Sequence, residues 1–136
     1  MNRELKMAKN LSDKHLMLFL LMNEWVKVKQ QNKSVEGSLA KQGYKRIGIY
    51  GMSYAGQRLC DELMDTTAKI VCCMDQKSGG TYRGYEIIPV KECPDEVEVV
   101  IVTPIFFYDE IRQQLERSIS ARIISLEEVI YGLSES

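Results

Sequence analysis

The chain has 136 residues and a formal net charge of −1, and 45% of its residues are hydrophobic. This size and composition predict a globular protein of one domain, with room for an additional arm. Because its basic residues are scattered and nearly balanced by acidic ones, we expect no nucleic-acid binding. The apolar run at residues 16–22 is shorter than the roughly 20 residues that span a bilayer. It also lacks the flanks of a signal peptide, so we expect no membrane span and a cytoplasmic location.

The first predicted element is a long helix that forms an arm. Residues 1–10 are polar and are predicted to fray, while Ser12 or Asp13 can cap a helix that continues to about Gln31. Within residues 16–28 the helix is apolar nearly all round for about two turns, although a helix that covers a core on one side needs only one apolar stripe. Either the domain's own sheet and loops cover the second face, or a partner subunit does. We favour a homo-oligomer through this segment, because soluble monomers seldom expose so large an apolar patch.

A polar break at residues 30–33 separates this arm from the next element. Ser34 is typical of a residue that opens a helix, and Gly43 is typical of the left-handed residue that follows one. These two residues predict a short helix between them. We therefore divide the chain into a helical arm at residues 1–43 and a domain at residues 44–136.

Strands and helices alternate in the predicted domain. Predicted strands cover residues 47–50, 69–74, 85–89, 97–103 and 121–124, and predicted helices cover residues 54–64, 108–118 and 126–131. The glycine-containing stretch at residues 76–84 is predicted to form a turn region. The β-branched run at residues 97–103 is typical of a strand buried on both faces. The alternation predicts an α/β fold, with a doubly wound parallel sheet of about five strands and helices on both faces.

The most informative stretch is residues 47–56, which read IGIYGMSYAG. Gly51 can take backbone angles that a side chain forbids, and Gly56 has no Cβ to hold the helix away from the strand. Ser53 stands where the dinucleotide fingerprint G-x-G-x-x-G has its middle glycine, and its hydroxyl can bond a phosphate oxygen. The NH groups at the helix start carry partial positive charge, which favours a phosphate. Alternatively, both glycines serve strand–helix packing alone and the pocket stays empty.

Three further residues end strands at the edge of the predicted sheet where open α/β sheets bind ligands. Asp75 follows the glycines by about 20 residues, the position at which an acid accepts hydrogen bonds from ribose hydroxyls. Such an acid favours a ribose without a 2′-phosphate, and therefore favours NAD over NADP. Alternatively, Asp75 is a strand-end residue that simply faces water. Thr103 and Pro104 end the central strand, either as part of the pocket or as a strand stop. The candidate ligand-binding residues are Gly51, Met52, Ser53, Tyr54, Gly56, Asp75, Thr103 and Pro104.

The histidine and cysteine content predicts neither a metal site nor a catalytic site. His15 is the only histidine and the four cysteines form no Cys-x-x-Cys pair, so we expect neither a zinc site nor a Ser-His-Asp hydrolase. Cys72 and Cys73 fall in a predicted buried strand, where we expect reduced cysteines that act as small apolar side chains. We therefore nominate no catalytic residue.

Residues 45–125 resemble a subgroup of Rossmann-like domains found at the front of bacterial sugar-modifying and capsule-building proteins. The segments that carry the resemblance are IGIYGMSYAGQRLCDEL, IVCCMDQ, RGYEIIPVKEC, VEVVIVTP and RIISLEEVI. The subgroup includes the amino-terminal domains of polysaccharide-biosynthesis sugar dehydratases, glycosyl-phosphate transferases and sugar-nucleotide N-acetyltransferases. In the acetyltransferases the matching domain holds a nucleotide-linked sugar beside the first glycine turn. The resemblance therefore implies ligand contacts from Gly51, Ser53, Gly56, Asp75 and Thr103.

The resemblance implies a module that binds a small nucleotide ligand, either NAD or a nucleotide sugar, and does not itself catalyse a reaction. Such a module would serve a glycosyltransferase or sugar-modifying enzyme in surface polysaccharide biosynthesis. None of the seven tyrosines has a lysine four residues later, so the Tyr-x-x-x-Lys pair of sugar epimerases is absent. Two alternatives stay open at this point: a small NAD(H)-dependent sugar-modifying enzyme completed by a partner subunit, and a ligand-free Rossmann-like dimerisation protein.

Overall fold

The computed structural model describes residues 3–136 of the chain. In this part of the chain five α-helices, six strands and two 3-10 turns follow one another. The helices are α1 (Arg3–Gln30), α2 (Val35–Lys41), α3 (Tyr54–Leu63), α4 (Tyr108–Glu116) and α5 (Leu126–Ser134). The strands are β1 (Arg46–Tyr50), β2 (Lys69–Met74), β3 (Thr81–Tyr82), β4 (Tyr85–Ile88), β5 (Val99–Val102) and β6 (Arg122–Ser125). The 3-10 turns cover Val90–Glu92 and Ile105–Phe107.

The strands form one sheet with the order β3-β4-β2-β1-β5-β6. Neighbouring strands are parallel throughout, except that β3 runs antiparallel to β4. Every residue of β5 is buried, as its β-branched run predicts. The predicted Rossmann-like α/β fold is confirmed.

Strand β3 lies inside the stretch that was predicted as a turn region, so that prediction was incomplete. It pairs with β4 around a loop of two residues, Arg83 and Gly84, which both have positive φ angles of 48° and 86°. Two-residue hairpin loops favour such angles. A strand of two residues is too short to show the alternation of apolar and polar residues from which strands are predicted.

Helices cover both faces of the sheet. On one face α3 and α5 bury Leu59 and Ile130 in the same core as Ile49 of β1. On the other face α4 buries Leu115 together with Met74 of β2. The chain therefore leaves β1 and β5 toward opposite faces, because α3 follows β1 and α4 follows β5.

Helix α1 begins earlier than the sequence analysis predicts. It starts at Arg3, so the prediction of fraying was wrong for residues 3–10, while Met1 and Asn2 lie outside the described residues. Most of residues 3–10 are good helix formers, which supports a helix although the segment has no apolar stripe of its own. Polarity alone was therefore a poor guide to where the helix starts.

The second half of α1 packs on the domain and the first half projects from it. Leu21, Trp25 and Val28 are buried in the core that α3 and α5 also enter, whereas each residue from 3 to 16 is exposed. The far side of α1 is not covered by the sheet or loops. Its large apolar side chains are 45–68% exposed, namely Leu16, Phe19, Leu20 and Val26. None of the helices within residues 3–136 has the length and apolar content needed to cross a membrane.

Three predicted helix ends are confirmed. The Ser34 Oγ accepts a hydrogen bond from the Gly37 NH at the start of α2, and Gly43 follows α2 with a φ of +83°. The Ser125 Oγ accepts one from the Glu127 NH at the start of α5. These hydrogen bonds satisfy NH groups that have no partner within the helix.

The cysteines behave as the sequence predicts. All four are free, and Cys60, Cys72 and Cys73 are buried. Burial raises the pKa of Cys73 to about 12, with a smaller contribution from the neighbouring Cys60. These thiols therefore stay protonated and pack as small apolar groups.

Candidate functional site

The turn between β1 and α3 has room for glycine alone at two positions. Gly51 has a φ of +96°, and a Cβ there would lie 2.5 Å from Pro104 Cδ and 2.6 Å from Thr103 Oγ1. A Cβ on Gly56 would lie 1.8 Å from the Gly51 carbonyl oxygen, inside any van der Waals contact. The positive φ favours glycine at the first position, and the close approach of α3 requires it at the second. The two glycines therefore bring the start of α3 directly onto the end of β1.

Thr103 fastens this turn to the end of β5. Its hydroxyl donates a hydrogen bond of 2.6 Å to the Gly51 carbonyl oxygen, and its NH donates one of 3.0 Å to the Tyr50 carbonyl oxygen. The residue is only 4% exposed, so these bonds are shielded from water. Thr103 is thus a positioning residue, since its single hydroxyl proton is already committed to the protein.

Asp75 fastens the other side of the turn. Its Oδ2 accepts a hydrogen bond of 2.7 Å from the Met52 NH, and its Oδ1 accepts a longer one of 3.3 Å from the Lys77 NH. A carboxylate offers about four acceptor positions, so others remain for the hydroxyl groups of a ligand. Burial, and then the charge of Asp75, raise the pKa of the neighbouring Tyr50 hydroxyl. Asp75 therefore holds the turn in place and keeps acceptor positions for a ligand.

The first turn of α3 presents NH groups that have no partner in the protein. Ser53 caps this helix, and its Oγ accepts a hydrogen bond of 2.7 Å from the Tyr54 NH. Within residues 3–136 the NH groups of Ala55 and Gly56 donate no hydrogen bond, because the first NH groups of a helix have no carbonyl group one turn earlier. These groups carry partial positive charge, so this helix end can accept an anion.

A cavity of about 230 Å³, here named the glycine-turn cavity, lies above this turn. Five of the predicted site residues line it, namely Gly51, Ser53, Asp75, Thr103 and Pro104. Lys14 and Leu18 of α1 form another wall, and Phe106 and Phe107 follow from the 3-10 turn after β5. The cavity thus brings together strand ends and a helix that is distant in sequence.

The glycine-turn cavity lies where α/β sheets bind ligands. It opens beyond the carboxyl ends of the adjacent strands β1 and β5, whose following helices leave toward opposite faces. Three predicted site residues do not line it. Met52 is 6% exposed with its side chain in the core, Tyr54 is 73% exposed, and Gly56 lies against the backbone of the turn.

Lys14 is a residue of this cavity that the sequence analysis missed. Its Nζ lies 5.4 Å from the centre of the Phe107 ring, within the range of a cation–π contact. The packing of α1 on the 3-10 turn Ile105–Phe107 brings it there. In the sequence it is one lysine among several on a predicted helix, far from the glycine motif, so no local pattern distinguishes it.

Residues 43–124 match a protein family described as C2185-like, N-terminal. The chain belongs to this family. The match covers more than half of the 136 residues and includes the glycine turn, Asp75 and Thr103. Helix α1 lies before it, so Lys14 is supplied by a part of the chain that the C2185-like match does not include. No curated protein matches the chain.

Two larger clefts lie beside α1. The acidic cleft, about 710 Å³, lies between α1, α5 and the start of α4, and its carboxylates are those of Asp109, Glu127, Glu128 and Glu135. The other, about 740 Å³, lies between α1 and α3 and includes Met22, Trp25 and Val26. Pockets for whole small molecules usually measure about 300–1,000 Å³, so the glycine-turn cavity suits a phosphate and a sugar ring. The glycine-turn cavity is the one of these three that five predicted site residues line.

Proposed function

We propose that the chain binds a nucleotide or nucleotide sugar in the glycine-turn cavity and catalyses no reaction of its own. One observation carries this proposal: Ala55, whose NH has no partner, lines the same cavity as Lys14 and Asp75. A phosphate needs NH donors and a cation, and ribose hydroxyls need an acceptor. The cavity therefore offers groups for both parts of a nucleoside phosphate.

The charges in the cavity favour different positions for the two parts of the ligand. The phosphate is favoured at the start of α3 beside Lys14 and is repelled by Asp75, whereas the ribose hydroxyls are favoured at Asp75. Because the cavity measures about 230 Å³, the base or the attached sugar extends beyond it. Phe107 stands at its border and is 42% exposed, so its ring can stack on a base.

The polar side chains of the cavity support binding rather than catalysis. They are those of Lys14, Ser53, Asp75 and Thr103, and no histidine, cysteine or tyrosine among the described residues lines it. Those three residue types are common nucleophiles and general bases, as are serine and aspartate. Here, however, the Ser53 Oγ accepts a hydrogen bond from the Tyr54 NH and Asp75 accepts one from the Met52 NH, so both hold the turn. The hydroxyl of Thr103 already donates to Gly51, which leaves it poorly placed to transfer a proton.

The resemblance of residues 45–125 to domains of sugar-modifying and capsule-building proteins supports a nucleotide sugar as the ligand. We propose that the chain presents this ligand to a glycosyltransferase or sugar-modifying enzyme of surface polysaccharide biosynthesis in the cytoplasm. NAD is the second candidate ligand, because the acid at position 75 favours an unphosphorylated ribose.

We also propose that two copies associate through residues 16–28 of α1. Leu16, Phe19, Leu20 and Val26 are exposed on a helix whose opposite side is buried. Contiguous exposed apolar surface of this kind marks an interaction site. A second copy would remove these side chains from water.

Ligand binding is tested by thermal shift and titration calorimetry with UDP-sugars, CMP-sugars, NAD and NADP. A true ligand raises the melting temperature by mass action, and we expect NAD to raise it more than NADP. Lys14→Ala should weaken binding by at least about tenfold, because it removes a charge-assisted contact to phosphate. Lys41→Ala is the matched control, since Lys41 is an exposed lysine at the end of α2.

Asp75→Asn separates the two roles of that residue. The amide oxygen can still accept the hydrogen bond from the Met52 NH, so the turn should keep its shape, while the loss of charge should reduce the preference for NAD over NADP. The proposal fails if none of these compounds shifts the melting temperature at millimolar concentration, or if Lys14→Ala binds as wild type does. Oxidation of added NADH by the protein would favour an enzyme instead.

A further inference from the structure

We infer, on the basis of the proposed self-association, that the acidic cleft receives the projecting half of α1 from a second copy of this chain. The projecting half comprises residues 3–16, and each of them is exposed. The acidic cleft lies where α1 meets the domain, beside Met17. In a symmetric pair each copy would give its projecting half to the cleft of the other.

The two surfaces carry opposite charges. The cleft has four carboxylates in its lining, with no lysine or arginine among the described lining residues. Within residues 3–136 none of these carboxylates takes part in an ion pair. The projecting half is basic, with Arg3, Lys6 and Lys9 against Glu4 and Asp13; Lys14 is not counted, because it lines the glycine-turn cavity of its own chain. Opposite fields attract the two copies and fix their orientation.

One face of α1 combines the basic end with an apolar centre. Residues three and four positions apart share a face of a helix, and this spacing links Lys6, Lys9, Leu16 and Leu20 through Asp13. Leu16 and Leu20 are 55% and 45% exposed. In two antiparallel copies of α1 the apolar centres around Leu16 and Leu20 meet. The basic end of each copy, with Lys6 and Lys9, then extends toward the acidic cleft of the other copy. Charge and apolar contact therefore favour the same arrangement.

The projecting half also needs a surface to pack on. Most helical stability in proteins comes from tertiary packing of an apolar face rather than from intrinsic propensity. Residues 3–16 continue the packed part of α1, but none of them is buried. A second copy supplies the missing packing surface.

The area of such a contact predicts a reversible dimer. At about 1.5 Å per residue and about 10 Å width, the projecting half has a footprint of roughly 210 Å². Two footprints, each burying both surfaces, give roughly 840 Å². With the apolar segment 16–28 added, the buried area lies near the roughly 1,200 Å² lower limit of stable interfaces. We therefore expect a dimer that dissociates on dilution and in high salt.

Charge reversal tests the contact by sedimentation velocity at several protein concentrations. The first variant is Lys6→Glu with Lys9→Glu, and the second is Glu128→Lys with Glu135→Lys; all four positions are exposed. Each should raise the dimer dissociation constant by at least about tenfold, and the variant that combines all four should restore it. Glutamate is a good helix former and suits the first turns of a helix, so the first variant should fold.

The control reverses two exposed lysines elsewhere, Lys41→Glu with Lys91→Glu, which lowers the net charge as much as the first variant does and should leave the dimer intact. If both charge-reversed variants dimerise as wild type does, or if the combined variant does not recover, the docking of α1 in the cleft is wrong while self-association stands. If the wild type is monomeric at every concentration tested, both the docking in the cleft and the self-association are wrong. Nucleotide binding is measured separately, and its outcome bears neither on the docking in the cleft nor on the self-association.

Discussion

The substitution Gly56→Ala tests the packing on which the glycine turn depends. The added Cβ would lie 1.8 Å from the Gly51 carbonyl oxygen and 2.8 Å from its carbonyl carbon, and it must move to at least 3.0 Å. The turn resists this movement at both ends. The Gly51 NH donates to the Met74 carbonyl oxygen at 2.8 Å, and the Gly51 carbonyl oxygen accepts from Thr103 at 2.6 Å.

The expected loss of stability follows from these contacts. Overpacking of this kind costs about 1–3 kcal/mol and occasionally more, and weakening the hydrogen bond from Thr103 to Gly51 adds about 1 kcal/mol. Alanine is favoured over glycine within a helix by about 1 kcal/mol, which offsets part of the cost. We therefore expect a net destabilisation of about 1–3 kcal/mol, which lowers the melting temperature by roughly 4–12 °C in a domain of this size.

Gly132→Ala is the matched control. Gly132 is a second helical glycine, in α5, and nothing lies within 4 Å of the position its Cβ would take. Alanine there should stabilise the protein by up to about 1 kcal/mol through helix propensity alone. Urea unfolding followed by circular dichroism measures both variants against wild type. If Gly56→Ala is as stable as wild type, α3 does not approach β1 as closely as described.

Thr103→Val should destabilise the protein by about 1–2 kcal/mol in urea unfolding, because the Gly51 carbonyl oxygen loses a buried hydrogen bond while the side-chain shape is kept; equal stability would show that this bond contributes nothing. Acid should also destabilise the protein. Glu36 accepts a hydrogen bond from the Thr67 side chain, and Glu98 accepts hydrogen bonds from backbone NH groups. These bonds lower the pKa of each carboxyl below its ordinary value of 4.5. Since the folded pKa is the lower one, this stability is present above about pH 4.5 and is lost as the pH falls through the folded pKa. The urea midpoint should therefore drop between about pH 5 and pH 3, and by less in a Glu36→Gln, Glu98→Gln variant; a midpoint that stays constant would contradict the lowered pKa values.

Much of the fold can be predicted because its signals are local. The β-branched run of β5 and the caps at Ser34 and Ser125 depend on residues a few positions apart. Gly51 and Gly56 also stand out from sequence alone, since a strand that turns at once into a helix has few other solutions. β3 was missed, because two residues carry no detectable periodicity.

The candidate site was predicted only in part. Five of the eight predicted residues line the glycine-turn cavity, all of them at strand ends or in the turn. The hydrogen bond from the Met52 NH to Asp75 was not predicted, because it joins residues on two different strand–helix connections. Lys14 was missed for a similar reason, since only the packing of α1 places it there.

The sequence by itself determined the order of helices and strands and the place of the glycine turn, because both depend on interactions between residues near each other in the chain. Only the tertiary structure decided that α1 forms a wall of the cavity and leaves its far side open. The physical reason is that packing selects among faces of a helix that is apolar nearly all round, and no periodic pattern in such a helix distinguishes the side that will be buried.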